Sequence, residues 1–381
     1  MILSLDNNNL TEFAHAAVDF SRTYPGAIPR LLATEIELLN PNTNFFFKEG
    51  GKARYFVYKL GNKIVGKIAA FINPQLTENG QQIGTVGLFD CIENASIAHE
   101  LIHKAVEWLR ENHCKTILGP MDFSIWHSYR FMTQGFGSRG FYGEPRNPEY
   151  YPTFFLNYGF SARTTWESQV LDRHGMNAFV GEYKPQLDLS IELGYTFEVL
   201  KKANKDELMR FTYQTIIESY KYFPVFNPIS EADFLHHFRR MPDILDTDCS
   251  QFVRNPNGMF VGFLLAPKDL YRPLVAMNGS TNFWAKMRYL WYRNQTNMAN
   301  IAQGGTVPYF IREAAILGKK HQNLPISLAG VTICKAIQNI LASKKYEQTI
   351  ISLMREGAAI KNHAFDMATE KRTYALYELK P

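Results

Sequence analysis

The sequence predicts a mixed α/β fold, an α+β arrangement with mixed sheets, in two tandem domains at residues 1–190 and 191–381. Three observations predict it. A chain of 381 residues exceeds what one hydrophobic core usually serves. Strand-like alternation and helix-like periodicity succeed one another along its length. The same hairpin also occurs twice: Phe56-Val57 precedes Val65-Gly66 across a turn, and Phe252-Val253 precedes Val261-Gly262 at the same separation.

The elements follow in order. Residues 10–20 carry apolar side chains at helical spacing with Thr11 as a cap, Tyr24-Pro25-Gly26 is a stop, and 28–39 is a second amphipathic helix. Segments 54–60 and 64–72 flank Gly61-Asn62 as a hairpin, and 85–90 adds a strand. Over 95–112, Ala98, Leu101, Ile102, Ala105, Val106 and Leu109 share one helix face. A short buried strand at 116–120 leads into the long aromatic loop 121–147, and loops of that length are usually functional. Residues 148–158 read as helix with Gly159 as its C-cap, 160–170 as strand, and 180–194 as a bridge. In the second half, 196–201 is a strand, 204–220 a helix with Glu207 placed for a capping box, and 230–240 a helix. The segments 252–255 and 259–266 form a hairpin around Pro256-Asn257-Gly258. The stretch 278–303 is polar and aromatic, with no clear period. Residues 309–317 read as strand, 318–326 as a polar loop, and 327–342 as a helix burying Leu328, Ile333, Ala336, Ile337, Ile340 and Leu341. A short apolar strand at 349–354 closes on Arg355-Glu356-Gly357, and 372–379 alternates as a last strand.

Composition narrows the function. A hydrophobic content of 46% with 20% charged residues describes a globular chain. The net charge of +5 comes with no Lys/Arg run, so no nucleic-acid partner is expected. Cys91, Cys114, Cys249 and Cys334 form no CxxC pair, which fits a reducing compartment. His99/His103 and His236-His237 lack a zinc motif, and no metal is expected. No basic segment followed by a long apolar one opens the sequence, and no apolar run reaches membrane-spanning length. The expectation is a cytoplasmic protein with no membrane partner. There is no nucleophile elbow, and Cys114 stands in no catalytic motif.

Two constellations carry chemistry. A strand feeding a helix through a basic loop, as read over 306–356, aims backbone N–H groups and a helix dipole at an anion. Lys319 and Lys320 would add point charges, with His321 beside them. In the first half the matching connection has only about four residues against roughly ten in the second, so only the second has room for a phosphate cradle, and an ordinary βαβ crossover is the alternative reading of it. On the first half's long loop, Asp122, Trp126, His127, Tyr129 and Arg130 combine a carboxylate, a cation and aromatic rings suited to an amino acid or other zwitterion.

The order of helices, hairpin, strand, loop, helix and strand resembles the GNAT (GCN5-related) acyltransferase superfamily. The first half is similar to a group of tandem GNAT-like bacterial proteins over about residues 20 to 170. The resemblance rests on Gly87-Leu88-Phe89-Asp90, Glu107-Trp108-Leu109-Arg110, Gly119-Pro120-Met121-Asp122-Phe123-Ser124, Gly135-Phe136, Tyr150-Tyr151-Pro152 and Tyr158-Gly159-Phe160. In the second half it rests on the hairpin, Glu356 and Lys371-Arg372-Thr373-Tyr374-Ala375-Leu376-Tyr377-Glu378. It implies acetyl-CoA or another acyl-CoA as co-substrate, no metal, and an amine of a small molecule or protein as acceptor. It implies donor binding by Leu317, Lys319, Lys320, Gln322, Asn323 and Ser327, because Gln322 matches the opening of the family's pyrophosphate loop, Gln/Arg-x-x-Gly-x-Gly/Ala. Pro325 and Ser327 stand at that loop's glycine positions. Acyl transfer to an amine needs a base, an oxyanion donor and an acid for the thiolate. Glu356 is the candidate base or ammonium ligand, with Asn362 and Tyr374 as polar candidates; the family's helix tyrosine has no counterpart over 357–365, where Phe365 stands. Two alternatives stay open: a catalytically degenerate binding or regulatory module, and a transferase using aminoacyl-tRNA, which the lack of a basic stripe disfavours.

Overall fold

The computed structural model describes residues 1–5, 10–221, 223, 225–301, 303–356 and 367–381. Chain order and spatial grouping divide them differently. Unit 1 holds Met1–Trp166, Leu270–Gln295 and Arg372–Pro381; unit 2 holds Glu167–Asp269 and Thr296–Lys371.

Unit 1 begins with β1 (Ile2–Leu5), α1 (Thr11–Ser21), α2 (Leu32–Leu39), the single turn α3 (Phe45–Lys48), β2 (Lys52–Leu60), β3 (Lys63–Glu78) and β4 (Gln81–Cys91). There follow α4 (Ala95–Glu111), β5 (Thr116–Gly119), β6 (Phe131–Gln134), α5 (Tyr150–Tyr158) and β7 (Ser161–Asp172), whose residues up to Trp166 belong to this unit. Asn94 fixes the start of α4 by accepting from Ile97 N–H, and the helix buries Leu101, Ile102, Ala105 and Leu109. These pack with Ile68, Val86 and Ile117 of the strands and Phe155 of α5. A second cluster gathers Phe13, Tyr55, Phe71 and Phe123. Full burial of each large apolar side chain is worth about 1.5–3 kcal/mol.

Unit 2 contains α6 (Arg173–Glu192), β8 (Thr196–Glu198), α7 (Lys205–Tyr220), α8 (Glu231–His237), α9 (Met241–Ile244), β9 (Gln251–Arg254) and β10 (Phe260–Leu265). The next two helices, α10 (Tyr271–Met277) and α11 (Phe283–Tyr292), belong to unit 1. Unit 2 resumes with β11 (Met298–Ile301), β12 (Gln303–Thr306), α12 (Pro308–Gln322), α13 (Leu328–Ser343) and β13 (Gln348–Arg355). The last strand, β14 (Glu370–Leu379), joins unit 1 from Arg372 onward.

In unit 1 the strand order is β1-β2-β3-β4-β5-β14-β7, with β6 also against β14. The pair β4 and β5 is parallel, and β14 runs antiparallel to β5, Tyr377 facing Gly119. In unit 2, β12, β10, β9 and β8 form one sheet, while β11 lies beside β13 and β13 beside β7. The α13 face of Val331, Cys334, Ile337 and Ile340 packs in one cluster with Phe179 and Tyr183 of α6.

Two sequence expectations are corrected. Residues 309–317 are not a strand, and of the expected loop 318–326 only 323–326 is one: Pro308 opens a helix that runs to Gln322. Residues 180–194 are not a bridge but mostly α6, a helix that tolerates an internal Pro185. The spacing of its buried Met176, Phe179, Tyr183 and Leu187 is helical. All four cysteines are buried and free.

Candidate functional site

The open feature of unit 2 is a change of partner along one strand. Met298–Ile301 of β11 pair in parallel with Gln348–Ile351 of β13. From Gln303 to Thr306 the chain pairs instead with β10, antiparallel, Gly262 facing Thr306. Val307 N–H donates to Val261 O at 2.9 Å, so the alternation of an antiparallel ladder turns the peptide groups of Gly304 and Thr306 away from β10. Two side chains of α7 confirm that direction: Tyr220 Oη donates to Gly304 O at 3.0 Å and Ser219 Oγ to Thr306 O at 2.7 Å. The carbonyls of this edge are therefore capped, and among the described residues its N–H groups meet no acceptor. Gly304 is solvent-exposed. Just before the switch, Asn300 is buried with neither amide atom hydrogen-bonded, the kind of orphan a ligand group resolves.

The fit to an acyl-CoA arm can be tested on these groups. A pantetheine chain carries amide donors and acceptors, which match the outward N–H groups of Gly304 and Thr306 and the unpaired amide of Asn300. The phosphate end has less: α12 begins directly after the edge strand, but Pro308 has no N–H and Phe310 N–H is taken by Val307 O at 3.0 Å.

The residues expected to form the phosphate cradle lie elsewhere. Lys319, Lys320, His321 and Gln322 form the last turn of α12, at roughly 1.5 Å per residue some 17–21 Å from its start. There they complement the negative end of the helix dipole. Gln322 Nε2 donates to Glu192 Oε2 at 3.3 Å. Asn323 is the left-handed C-cap (φ 53°), and Leu317 packs into the unit 2 core. Ser327 caps α13, its Oγ accepting from Gly330 N–H at 3.2 Å, and its own N–H donates to Gln186 Oε1 at 2.8 Å. Glu356 is exposed in the turn that follows β13. Tyr374 is buried in β14, opposite Met132, and belongs to unit 1, whereas Glu356 belongs to unit 2. Asn362 lies outside the described residues.

In unit 1 the corresponding place is filled from within. A bulge in β4 puts Leu88 at φ 48° and turns both of its peptide groups out of the ladder. Asp122 Oδ1 accepts from Leu88 N–H at 2.6 Å, and Lys67 Nζ donates to Leu88 O at 2.8 Å. Met121 N–H donates to Val86 O at 2.8 Å, so residues 121–122 lie along β4 where its free edge would be. Gly87 permits this approach, since a Cβ there would meet Asp122 Oδ1 at 2.5 Å. Lys67 and Asp90 are buried at 0% and 1% side-chain exposure and pair at 3.0 Å; Arg30 joins Asp90 at 3.0 Å. Burial pushes the Lys67 pKa down against the pull of Asp90, whereas at Arg30 burial is opposed by Asp90, Glu35, Tyr24 and Asp122 together, and the pKa rises.

The expected substrate residues are packed within unit 1. Trp126 is buried, and His127 stacks on Phe45 with centroids 5.0 Å apart and shares a hydrogen bond with Ser124 Oγ at 3.1 Å. Arg130 lies over the rings of Tyr129 and Trp166 at 3.8 and 4.3 Å. A separate polar cavity of about 160 Å³ is lined by Tyr24, Arg30, Ser128, Glu144 and Arg146 among others. Glu144 also pairs with buried Arg372 at 3.0 Å.

Burial pushes the Asp122 carboxyl up to about 6, although Leu88 N–H, Arg30 and Lys67 oppose it. The folded chain thus keeps a proton that the unfolded chain has lost, and stability declines as pH rises from about 4 to about 6. Asp122→Asn is expected to remove that decline. Its stability relative to the native chain should rise by up to about 3 kcal/mol across the window, read from urea midpoints at pH 4.5 and 7. Parallel pH profiles would overturn this.

The sequence offered one overlooked signal for the unit 2 edge. Gly304-Gly305 followed by Val307-Pro308 is a close-packing pair and then a helix start, inside a stretch that resists assignment by period. Gly305 is required by packing, because a Cβ would meet the Phe263 ring at 2.8 Å. Among the described residues no group of three or more His, Cys, Asp or Glu is placed to hold a metal, and no helix is long and apolar enough to cross a membrane.

Comparison with known proteins adds the fold. No protein-family model and no curated protein sequence matches the chain. Among solved structures it is similar to a tandem GNAT protein from the clavulanic acid biosynthesis pathway, solved without AcCoA: 11% identity, TM-score 0.52, covering 100% of this chain and 98% of that one. A probable N-acyltransferase from Enterococcus faecalis V583 aligns at 8% identity and TM-score 0.51, over 100% of this chain and 72% of that one. A GCN5-related glucosamine N-acetyltransferase region of a fungal multi-domain β-N-acetylglucosaminidase aligns at 12% and 0.50, over 100% of this chain and 38% of that one. At such identities the likeness is one of architecture, and the architecture of this chain is that of GNAT-fold proteins in tandem.

Proposed function

We propose, with that shared architecture as premise, that the chain is an N-acyltransferase. It would move an acyl group from acyl-CoA, acetyl-CoA first among them, to an amine of a small molecule or protein. The observation that carries this reading is the partner switch between β11 and β12, which leaves the Gly304 and Thr306 N–H groups on an edge with no strand beside it, where side chains of α7 take the carbonyls. An acyl thioester bound there would supply the activated carbonyl. The chain's own part is to align the donor arm along that edge, to satisfy Asn300, and to take a proton from the ammonium at Glu356. Unit 1 reads as a partner without transfer chemistry of its own, because Asp122 and Met121 close the matching edge.

Acetyl-CoA at a hundred times its Kd is expected to raise Tm by about 5–10 °C, since selective binding of that strength adds about 2.7 kcal/mol. Gly304→Pro deletes one outward N–H and no hydrogen bond of the β10 ladder, although its Cβ would come to 3.3 Å from Phe263 O of β10; an edge strand tolerates proline at such a position. It should abolish most of the shift while leaving the far-UV circular dichroism unchanged. No shift with acetyl-CoA or any longer acyl-CoA would count against the enzyme reading.

A further inference from the structure

The helical pair α10 and α11 presents an apolar surface that the rest of unit 1 does not cover. Its rear is anchored: Arg22 Nη2 donates to Asn278 O at 2.5 Å, Leu32 N–H to Gly279 O at 3.1 Å, and Ala285 of α11 is buried. Asn282 sets the start of α11 by accepting from Ala285 N–H at 2.9 Å. At about 100° per residue, Leu290, Phe283, Met287, Trp291 and Trp284 then fall within an arc of roughly 120° on the opposite side. All five are exposed, from 46% to 74%. On the same wheel Lys286 and Arg293 border one flank of the arc and Arg288 the other. The whole segment from Tyr271 to Gln295 contains Arg272, Lys286, Arg288 and Arg293 and no Asp or Glu.

An apolar stripe with two indoles and a phenyl ring, edged by cations and free of acids, is built for a boundary between hydrocarbon and negative charge. We propose that α11 docks the protein on an anionic lipid surface. The helix would lie in the interface with Phe283, Trp284, Met287, Leu290 and Trp291 inserted, and with Lys286, Arg288 and Arg293 at headgroup level. This is a peripheral contact and requires no membrane-spanning segment. The sequence alone gave no such partner because its expectation rested on the length of apolar runs. Here apolar and basic residues interleave, and only helical winding sorts them onto separate faces.

Flotation of the full chain with vesicles tests it. Partition onto phosphatidylcholine vesicles containing phosphatidylglycerol should exceed that onto pure phosphatidylcholine on the order of a hundredfold, from three cations near the surface. It should fall in 0.5 M salt. Trp284→Ser with Trp291→Ser should lower partition at least tenfold with the far-UV circular dichroism unchanged; both side chains are exposed, so folding is not at stake. Lys286→Glu with Arg293→Glu should remove the lipid-charge preference. Equal partition onto neutral vesicles, or none onto anionic ones, overturns the proposal. So does self-association that the tryptophan variant abolishes in the absence of lipid binding, or binding to duplex DNA that outcompetes the vesicles.

Discussion

Asp90→Ala is expected to destabilise unit 1 by roughly 3–5 kcal/mol, the usual cost of breaking a buried ion pair from one side. The substitution leaves Lys67 charged at 0% exposure, with Leu88 O as its remaining acceptor among the described residues and the Phe13 ring 4.2 Å from its Nζ. Deprotonation is the escape, because burial already pushes the Lys67 pKa down. The loss should therefore be smaller at pH 10 than at pH 7. Lys67→Met with Asp90→Leu replaces both charges by apolar groups and should lose less than the two single losses added, since Arg30 is partly exposed and can turn to water. Urea unfolding of the five chains, native, Asp90→Ala, Lys67→Met, Asp90→Leu and the double variant, measures this, and a loss below about 1 kcal/mol for Asp90→Ala would sink the argument. The cluster is also what holds Leu88 in its bulge, so closure of the unit 1 edge should weaken with it.

Glu356→Gln is expected to lower kcat by about 10²–10⁴, the range general-base catalysis contributes, while donor affinity stays within about twofold. The reasoning is positional. Glu356 follows immediately on β13, the strand that pairs with β11 before the switch, and its side chain is solvent-exposed where an amine could approach. The groups proposed above to bind the donor are main-chain amides of β12, on the other strand, so donor binding and proton removal should separate. Thermal shift with acetyl-CoA reports the first and steady-state turnover the second. Equal loss of both would assign Glu356 a binding or structural part.

Much of the architecture was legible. The two hairpins and the terminal strand follow from short runs rich in β-branched and aromatic residues, and α4 from a clean apolar stripe that is buried as read. The misreading of α12 has a physical cause. Its opening Tyr309-Phe310-Ile311 has strand-like residue types, and only Ala314 and Gly318 are buried, so no large apolar stripe marks the period. Close packing through small residues took its place: a Cβ on Gly318 would strike Leu324 O and come within 2.7 Å of Ile326 Cγ1. The phosphate cradle went with it, since lysines at the end of a helix read like lysines in a loop. Of the edge at Gly304 and Thr306 only the Gly304-Gly305 pair and the Val307-Pro308 helix start were legible; the rest is backbone direction and pairing partner, which side-chain types do not encode.

The last strand of unit 1 arrives late. Thr133 and Thr373, whose hydroxyls share a hydrogen bond at 2.7 Å, are separated by 240 positions in the chain. During synthesis on the ribosome, β5 and β7 must wait with a vacant lane between them until nearly everything else has emerged. Bare strand margins of that kind invite pairing with neighbouring nascent chains. A fragment ending before Arg372 should therefore aggregate on expression, and a β14 peptide supplied in trans should rescue its solubility.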